Sequence, residues 1–278
     1  IARAYLEPGT ALLRSQNSYL KVPNYAYSND ADAVAAPDTN FCTDVDAMLS
    51  CLTPETRIVY LANPDNPSGA MLPSTELHRL HKGLPSHVLL VIDGAYSEYV
   101  VDPAYESGVS LVRAHENVVL THSFSKIYGL AGARVGWAYG PPHVIDTITR
   151  IGLTFPLATA SLHAALAALE DQEHRDYVRT ETTILRDEAT QKLTEAGIRV
   201  YPGHGNFILM EMRSCESLAR SVDAALRVEG ISLRRFASPA YNQCLRMTIG
   251  RHKETRTATD AIIRLYKNMT EELGLDGV

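Results

Sequence analysis

A lysine, an aspartate and an asparagine, each just beyond an apolar run, are the residues of this chain best suited to chemistry. Lys126 lies in THSFSKIYGLAGARVG (121–136). An amine at the end of a buried strand, its pKa lowered by burial or a nearby cation, can form a Schiff base with an aldehyde cofactor. Ser123, Ser125 and Arg134 lie close to it in sequence and could hold a phosphate. The hydroxyls would donate and the guanidinium would match the oxygens. An SxxK run alone carries little weight.

Asp93 ends the apolar stretch of VLLVIDGAYSEY, with Tyr96 shortly after it. An acid at the C-terminal end of such a strand points into the crevice where α/β sheets bind ligands. A buried carboxylate needs a cationic partner, and a pyridinium nitrogen would serve. Capping a helix N-terminus explains the same aspartate equally well. The third group is NPDNPSG (63–69), two Asn-Pro pairs and a glycine after an apolar strand. It is a rigid turn, and Asn66 within it has a side chain able to reach a ligand.

These residues need a scaffold that brings strand ends together. Residues 1–140 alternate in a βα rhythm, with strand-like runs at 11–15, 32–36, 57–62, 88–93, 118–122 and 134–139. Several are continuously apolar, as strands buried on both faces of a parallel sheet are. Between them, Asp44 opens one helix, and Ser74 is positioned to cap another that carries Leu77 and Leu80 and ends at Gly83. This is a doubly wound α/β pattern. Residues 159–196 predict two helices, the second long and charged. Beyond 197, strands at 198–201, 206–212, 231–235 and 244–249 mix with helices at 215–228 and 253–273, a smaller α+β domain. The expected division is a large domain over 1–172, a bridging helix over 173–196 and a small domain over 197–278.

The composition is globular, 45% hydrophobic and 21% charged over 278 residues. A net charge of −6 gives no general attraction to nucleic acid or anionic membrane. No apolar run approaches the roughly 20 residues of a membrane span. The four cysteines are widely spaced with no metal-ligand pattern, and read as reduced thiols in the cytoplasm. The chain opens at Ile1 without Met. Ile1, Ala4 and Tyr5 share one apolar helix face that stops at Pro8-Gly9, which reads as the end of a helix begun earlier and predicts residues before Ile1.

Together, NPDNPSG, IDGAYSEY and SFSKIYGLAGARVGW resemble the fold-type I, class I/II aminotransferases that depend on pyridoxal 5′-phosphate, and most closely the histidinol-phosphate aminotransferase branch. The resemblance continues through FPLAT (155–159), GNFIL (205–209), ISLRRF (231–236) and CLRMTIG (244–250). It implies a mostly parallel sheet with helices on both faces plus a smaller α+β domain, and a homodimer acting on small amino and keto acids without nucleic acid, membrane or metal. By the same resemblance, Lys126 carries the cofactor and Asp93 keeps its pyridine nitrogen protonated. Asn66 and Tyr96 bond the phenolic oxygen, and Ser123, Ser125 and Arg134 hold the phosphate. Tyr19, in NSYLKVPNY, stacks on the ring. Arg246 clamps the substrate α-carboxylate with help from Asn206, and Arg234, in competition with Arg235, meets a substrate phosphate.

The chain departs from the family pattern in places. Gly94 stands where an acidic residue is frequent, and NPDNPSG replaces a commoner form with Asn and Thr. Residues 151–157 lack an arginine that some members have. Family members carry an upstream arm, a first strand, a phosphate-gripping loop and a tyrosine that reaches the partner's cofactor. Without these, residues 1–278 are expected to bind cofactor weakly and to expose the strand at 134–139. Three readings stay open on sequence: this transamination; another reaction on the same scaffold, an aromatic or broad-range aminotransferase or a threonine-phosphate decarboxylase; and a cofactor-free binding protein.

Overall fold

The computed structural model describes residues 1–213 and 215–272. The chain divides into two compact units, one of residues 1–66 and 70–176 and the other of residues 67–69 and 177 onward.

The first unit is built on a six-stranded sheet. Its strands are β1 (Ala11–Ser15), β2 (Asp32–Ala36), β5 (Thr56–Ala62), β6 (Leu89–Asp93), β7 (Val118–Ser123) and β8 (Gly136–Tyr139), in the order β2-β1-β5-β6-β7-β8. All neighbours pair in parallel except β7 and β8. Two short strands, β3 (Asp38–Thr39) and β4 (Cys42–Thr43), pair separately. The central strands are apolar on both faces because both faces are covered. Leu13, Leu61, Leu90, Ile92 and Leu120 enter one buried layer. Their neighbours Leu12, Ile58, Tyr60, Val91 and Val119 enter the other. Strand β8 lies at one edge of the sheet and its four residues are exposed.

The helices of this unit are α1 (Ala2–Tyr5), α2 (Val22–Tyr27), α3 (Val45–Ser50), α4 (Ser74–Lys82), α5 (Val109–Ala114), α6 (Pro142–Ile151) and α7 (Thr159–Glu170). Asp44 caps α3 as the sequence suggests, its Oδ1 accepting from the Ala47 N–H at 3.0 Å. Ser74 does not cap α4. Pro73 takes that position, and the Ser74 N–H donates to the Ala104 carbonyl at 2.8 Å. Proline suits this place because it has no N–H to leave unsatisfied.

Helix α8 (Gln172–Glu195) runs from the end of the first unit into the second. The second unit contains a three-stranded antiparallel sheet, β9 (Arg199–Tyr201), β10 (Phe207–Glu211) and β11 (Cys244–Thr248), in the order β11-β10-β9, with α9 (Glu216–Val228) and α10 (His252–Glu272). Leu209 and Met210 of β10, Leu226 of α9 and Ile262 of α10 are all fully buried. The strand expected over 231–235 does not form. Only Arg234 makes a bridge there, its N–H and carbonyl exchanging bonds with Arg246 at 2.9–3.0 Å. Among the described residues no helix is long and apolar enough to cross a membrane.

Ile92 is 1% exposed and immediately precedes Asp93. Ile92→Ala is expected to lower unfolding free energy by about 2–5 kcal/mol through lost burial and a residual cavity. Urea denaturation would measure it, and a loss under about 1 kcal/mol would contradict the tight two-layer packing described for this strand.

Candidate active site

Four adjacent parallel strands, β1, β5, β6 and β7, each end on a segment that carries one of the residues singled out by sequence. Beyond β1 comes Tyr19, beyond β5 Asn66, at the end of β6 Asp93 with Tyr96 after it, and at the end of β7 Ser123 with Ser125 and Lys126. Their register is level: Ala62 pairs with Asp93, and Asp93 with Thr121. The ladder continues past the strand ends. The Asn63 N–H donates to the Asp93 carbonyl at 3.0 Å and the Gly94 N–H to the Thr121 carbonyl at 2.9 Å. Tyr19, Asn66, Asp93, Tyr96, Ser123, Ser125, Lys126 and Arg134 consequently line one cavity of about 320 Å³.

Each wall has a local cause. Gly129 turns the chain after Lys126 with φ +68°, and its N–H donates to the Lys126 carbonyl at 2.9 Å. The chain returns through Leu130, whose N–H bonds the Phe124 carbonyl at 2.9 Å. Arg134 itself lies in the left-handed region, φ +56°. Its Nη1 donates to the Ala131 carbonyl at 2.8 Å and lies 3.4 Å from Ser125 Oγ. The Ser125 N–H donates to Ser123 Oγ at 2.9 Å. Lys126 Nζ sits over the Tyr96 ring, 5.1 Å from its centroid, so the amine faces an aromatic wall. The NPDNPSG turn is braced by Asn63, whose Nδ2 donates to the Leu72 carbonyl at 3.0 Å while its Oδ1 accepts from the Leu72 N–H at 2.9 Å.

Asp93 is held from two sides. Its Oδ1 accepts from the Ala95 N–H at 3.1 Å, and its Oδ2 from the Tyr60 hydroxyl at 2.8 Å. Asp93 does not cap a helix, since Tyr96 holds the N-cap position of the 3₁₀ turn Ser97–Tyr99; its Oδ1 serves the local turn and its Oδ2 the phenol. Tyr60 is a residue the sequence motifs miss. Burial, with Asp93 beside it, pushes its phenol well above the ordinary range and keeps it a proton donor. The available signal was period-two alternation, since Tyr60 shares the face of Ala62 on β5. Tyr60 and Asp93 also border a larger, mostly apolar cavity of about 640 Å³ that includes Leu12, Ile58 and Ile148.

A second residue missed by the motifs is Asp65, which is 4% exposed. Ser18, next to Tyr19, places its Oγ 2.6 Å from Asp65 Oδ1, tying the segment after β1 to the turn after β5. Burial raises the Asp65 carboxyl to about 7, with Asp38 and Asp93 adding to the effect and the Ser18 hydroxyl and Asn66 N–H opposing it.

Amine, carboxylate, guanidinium and hydroxyls lining one cavity form a donor set that suits a phosphorylated, cationic heteroaromatic aldehyde. The amine can bond the aldehyde carbon, the carboxylate can face a ring N–H, and Arg134 with the serines can take a phosphate.

The remaining predicted residues belong to the second unit. Arg246 on β11 and Arg234 are bridged through their backbones. The Arg246 guanidinium lies over Phe207 at 4.7 Å and Phe236 at 5.9 Å from the ring centroids, and that of Arg234 over Phe236 at 5.7 Å. The Asn206 carbonyl accepts from the Ile249 N–H at 2.9 Å. The second unit thus gathers Arg234 and Arg246 around one aromatic patch, while Asn206 is tied by its backbone to Ile249. Arginine stacks on aromatic faces through its planar guanidinium.

Residues 1–262 match the family model for class I and II aminotransferases. The chain belongs to the class I and II aminotransferases. It is 41% identical over 263 residues to a histidinol-phosphate aminotransferase of Nitrobacter winogradskyi, covering 94% of this chain and 72% of that relative. It is 43% identical to one from Rhodopseudomonas palustris over 90% of this chain and 69% of the other. Among solved structures, the histidinol-phosphate aminotransferase of Sinorhizobium meliloti in complex with pyridoxal 5′-phosphate superposes with a TM-score of 0.90 at 27% identity. That alignment covers 96% of this chain and 73% of the other. This aminotransferase therefore has the fold-type I architecture, and it is an enzyme of transamination.

The carboxyl of Asp65 gives the aminotransferase a stability signature. Its folded pKa, about 7, is raised above the ordinary carboxyl value of 3.8. The folded state then holds a proton that the unfolded state releases, so stability should fall as pH rises from about 4 to about 7, by at most about 4 kcal/mol. Asp65→Asn should flatten that part of the profile in urea titrations at pH 5, 6, 7 and 8. Equal pH slopes for the two proteins would show that Asp65 is not protonated in the fold.

Proposed function

We propose that this aminotransferase uses pyridoxal 5′-phosphate to move the amino group of histidinol phosphate to 2-oxoglutarate, giving imidazole acetol phosphate and glutamate, a step of histidine biosynthesis. The observation that carries the reading is the convergence of Lys126, Asp93 and Arg134 on one cavity. The names of the relatives at 41–43% identity support the substrate, and the ligand of the Sinorhizobium meliloti enzyme supports the cofactor.

When bound, the cofactor supplies an electron sink for the pair left at the substrate Cα. Every other task falls to this chain. Lys126 Nζ would hold the cofactor through its aldehyde carbon, and once freed by the incoming substrate amine it would serve as the base that takes the substrate Cα proton and the acid that gives it back. Asp93, with Tyr60 and the Ala95 N–H steadying its oxygens, keeps the ring nitrogen protonated. Asn66 and Tyr96 bond the phenolic oxygen, and Tyr19 covers the ring. Ser123, Ser125 and Arg134 neutralise and orient the phosphate.

The two substrates differ in their anions. Histidinol phosphate carries a phosphate ester where 2-oxoglutarate carries carboxylates. Arg246, assisted by Asn206, takes the α-carboxylate, and Arg234 takes the phosphate ester. Alternation of the two half-reactions gives ping-pong kinetics. The protein acts as a homodimer in the cytoplasm, a placement supported by the free state of all four cysteines.

Borohydride treatment with pyridoxal phosphate should fix the label on Lys126, and Lys126→Ala should abolish both label and turnover. Label on Lys82 or Lys192 instead would sink the site assignment. Asp93→Ala should lower kcat by orders of magnitude while the cofactor stays bound.

Arg246→Ala should weaken kcat/KM for 2-oxoglutarate by about 1.5–3 kcal/mol, the range for a charge-assisted bond, with a smaller effect on histidinol phosphate. Equal losses on both substrates would remove the division between the two arginines. Turnover with phenylalanine matching that with histidinol phosphate would replace the substrate reading by a broad-range one.

A further inference from the structure

The loop that carries Lys126 is held from below by residues the reaction does not touch. Side chains alternate along β7, so Ser123 faces the pocket while His122 points to the opposite face, beside Leu120. His122 is 9% exposed, and both of its ring nitrogens are engaged. The Ser123 N–H donates to His122 Nδ1 at 2.9 Å. On the other side, His122 Nε2 lies 3.2 Å from Glu98 Oε1, in the 3₁₀ turn Ser97–Tyr99 that follows Tyr96. Trp137 of β8 stacks on the imidazole, ring centroids 4.9 Å apart and planes 7° from parallel.

An Nδ1 that accepts a hydrogen bond has no proton of its own. The ring proton therefore sits on Nε2, facing the Glu98 carboxylate. Burial first, and then Glu98, pushes the Tyr128 phenol up to about 12, while Glu98 Oε2 is buried without a hydrogen-bond partner.

The departure at Gly94 belongs to the same arrangement. A Cβ at residue 94 would come 2.6 Å from Ser97 Oγ, closer than such atoms pack, and 3.3 Å from His122 Cδ2, a tight contact. The glycine leaves the room in which His122 lies and the Ser97–Tyr99 turn closes.

We propose that Glu98 and His122 are a positioning pair. Glu98 fixes the Nε2–H tautomer of His122, and His122 Nδ1 then holds the Ser123 N–H and sets the turn that presents Ser123 Oγ and Lys126. The effect passes along a continuous path. The Ser123 peptide orients its hydroxyl, which accepts from the Ser125 N–H at 2.9 Å, and Lys126 follows directly. This inference rests on the reading of Ser123 as a phosphate ligand and Lys126 as the cofactor lysine.

The test begins with the unliganded full chain. Two-bond ¹H–¹⁵N correlations of its histidines, with His122 assigned from its loss in His122→Asn, should show the Nε2–H tautomer. Glu98→Gln should let an Nδ1–H population appear. Pyridoxal phosphate titrations supply the second readout. In His122→Gln the amide keeps a group toward Glu98 but none at Nδ1, so affinity should fall about tenfold, near the upper range for one lost hydrogen bond. In His122→Asn the amide oxygen takes the place of Nδ1, so affinity should stay within about threefold of wild type.

An Nδ1–H tautomer in the wild-type protein would overturn the proposal. So would equal cofactor affinity in the Gln and Asn variants. If a variant fails to fold, the wild-type tautomer decides alone. Failure of the wild-type protein to take borohydride-fixed cofactor on Lys126 would be a failure of the proposed function, which the tautomer measurement does not share.

Discussion

The structure depends on the parallel register that sets the carboxyl ends of β1, β5, β6 and β7 level. Parallel neighbours joined by crossovers must all be left at the same edge of the sheet. Four chain segments therefore emerge side by side, and each delivers one kind of chemistry. The two backbone bonds beyond the strands, Asn63 to Asp93 and Gly94 to Thr121, carry that order into the loops. Without them the turns would be free to splay. With them, an amine, a carboxylate and a guanidinium share a cavity although long stretches of chain separate them.

Burying that edge creates an electrostatic problem which the fold answers separately for each acid. Asp93 must remain able to accept a proton donor, and it keeps two neutral donors, the Tyr60 hydroxyl and the Ala95 N–H. Asp65 has the Ser18 hydroxyl and the Asn66 N–H among other acids, and burial leaves it holding a proton up to about neutral pH. Glu98 is placed against an imidazole N–H. In each case the neighbour is a neutral donor rather than a fixed cation. Such a neighbour steadies the oxygen while leaving the positive groups, Lys126 and Arg134, directed at the cavity.

Much of this was legible in the sequence. Continuous apolar runs gave away buried parallel strands, with boundaries shifted by one residue at β5, β6 and β7, and the exposed antiparallel β8 began two residues later than expected. Punctuation by proline and glycine marked the turn at 63–69, whereas the turn at Gly129 was not read from the sequence. Lys126, Asp93 and Asn66 were visible because each polar residue followed an apolar run. Tyr60 and His122 were hidden inside such runs, where a polar aromatic residue reads as core. The expected strand at 231–235 was a period judged from one segment alone. Only Arg234 found a partner there, because a strand needs a neighbouring edge as well as a suitable pattern.

The sequence by itself determined the class of fold, the family and the candidates for reactive residues, because apolar periodicity and short motifs are local properties of the chain. Tertiary structure decided which neighbour each reactive group would have. It brought Tyr60 to Asp93, Ser18 to Asp65 and Glu98 to His122, in pairs separated by 24 to 47 positions. Those pairings set hydrogen bonding and orientation. They arise from strand order and from the face each side chain takes, which no local pattern specifies.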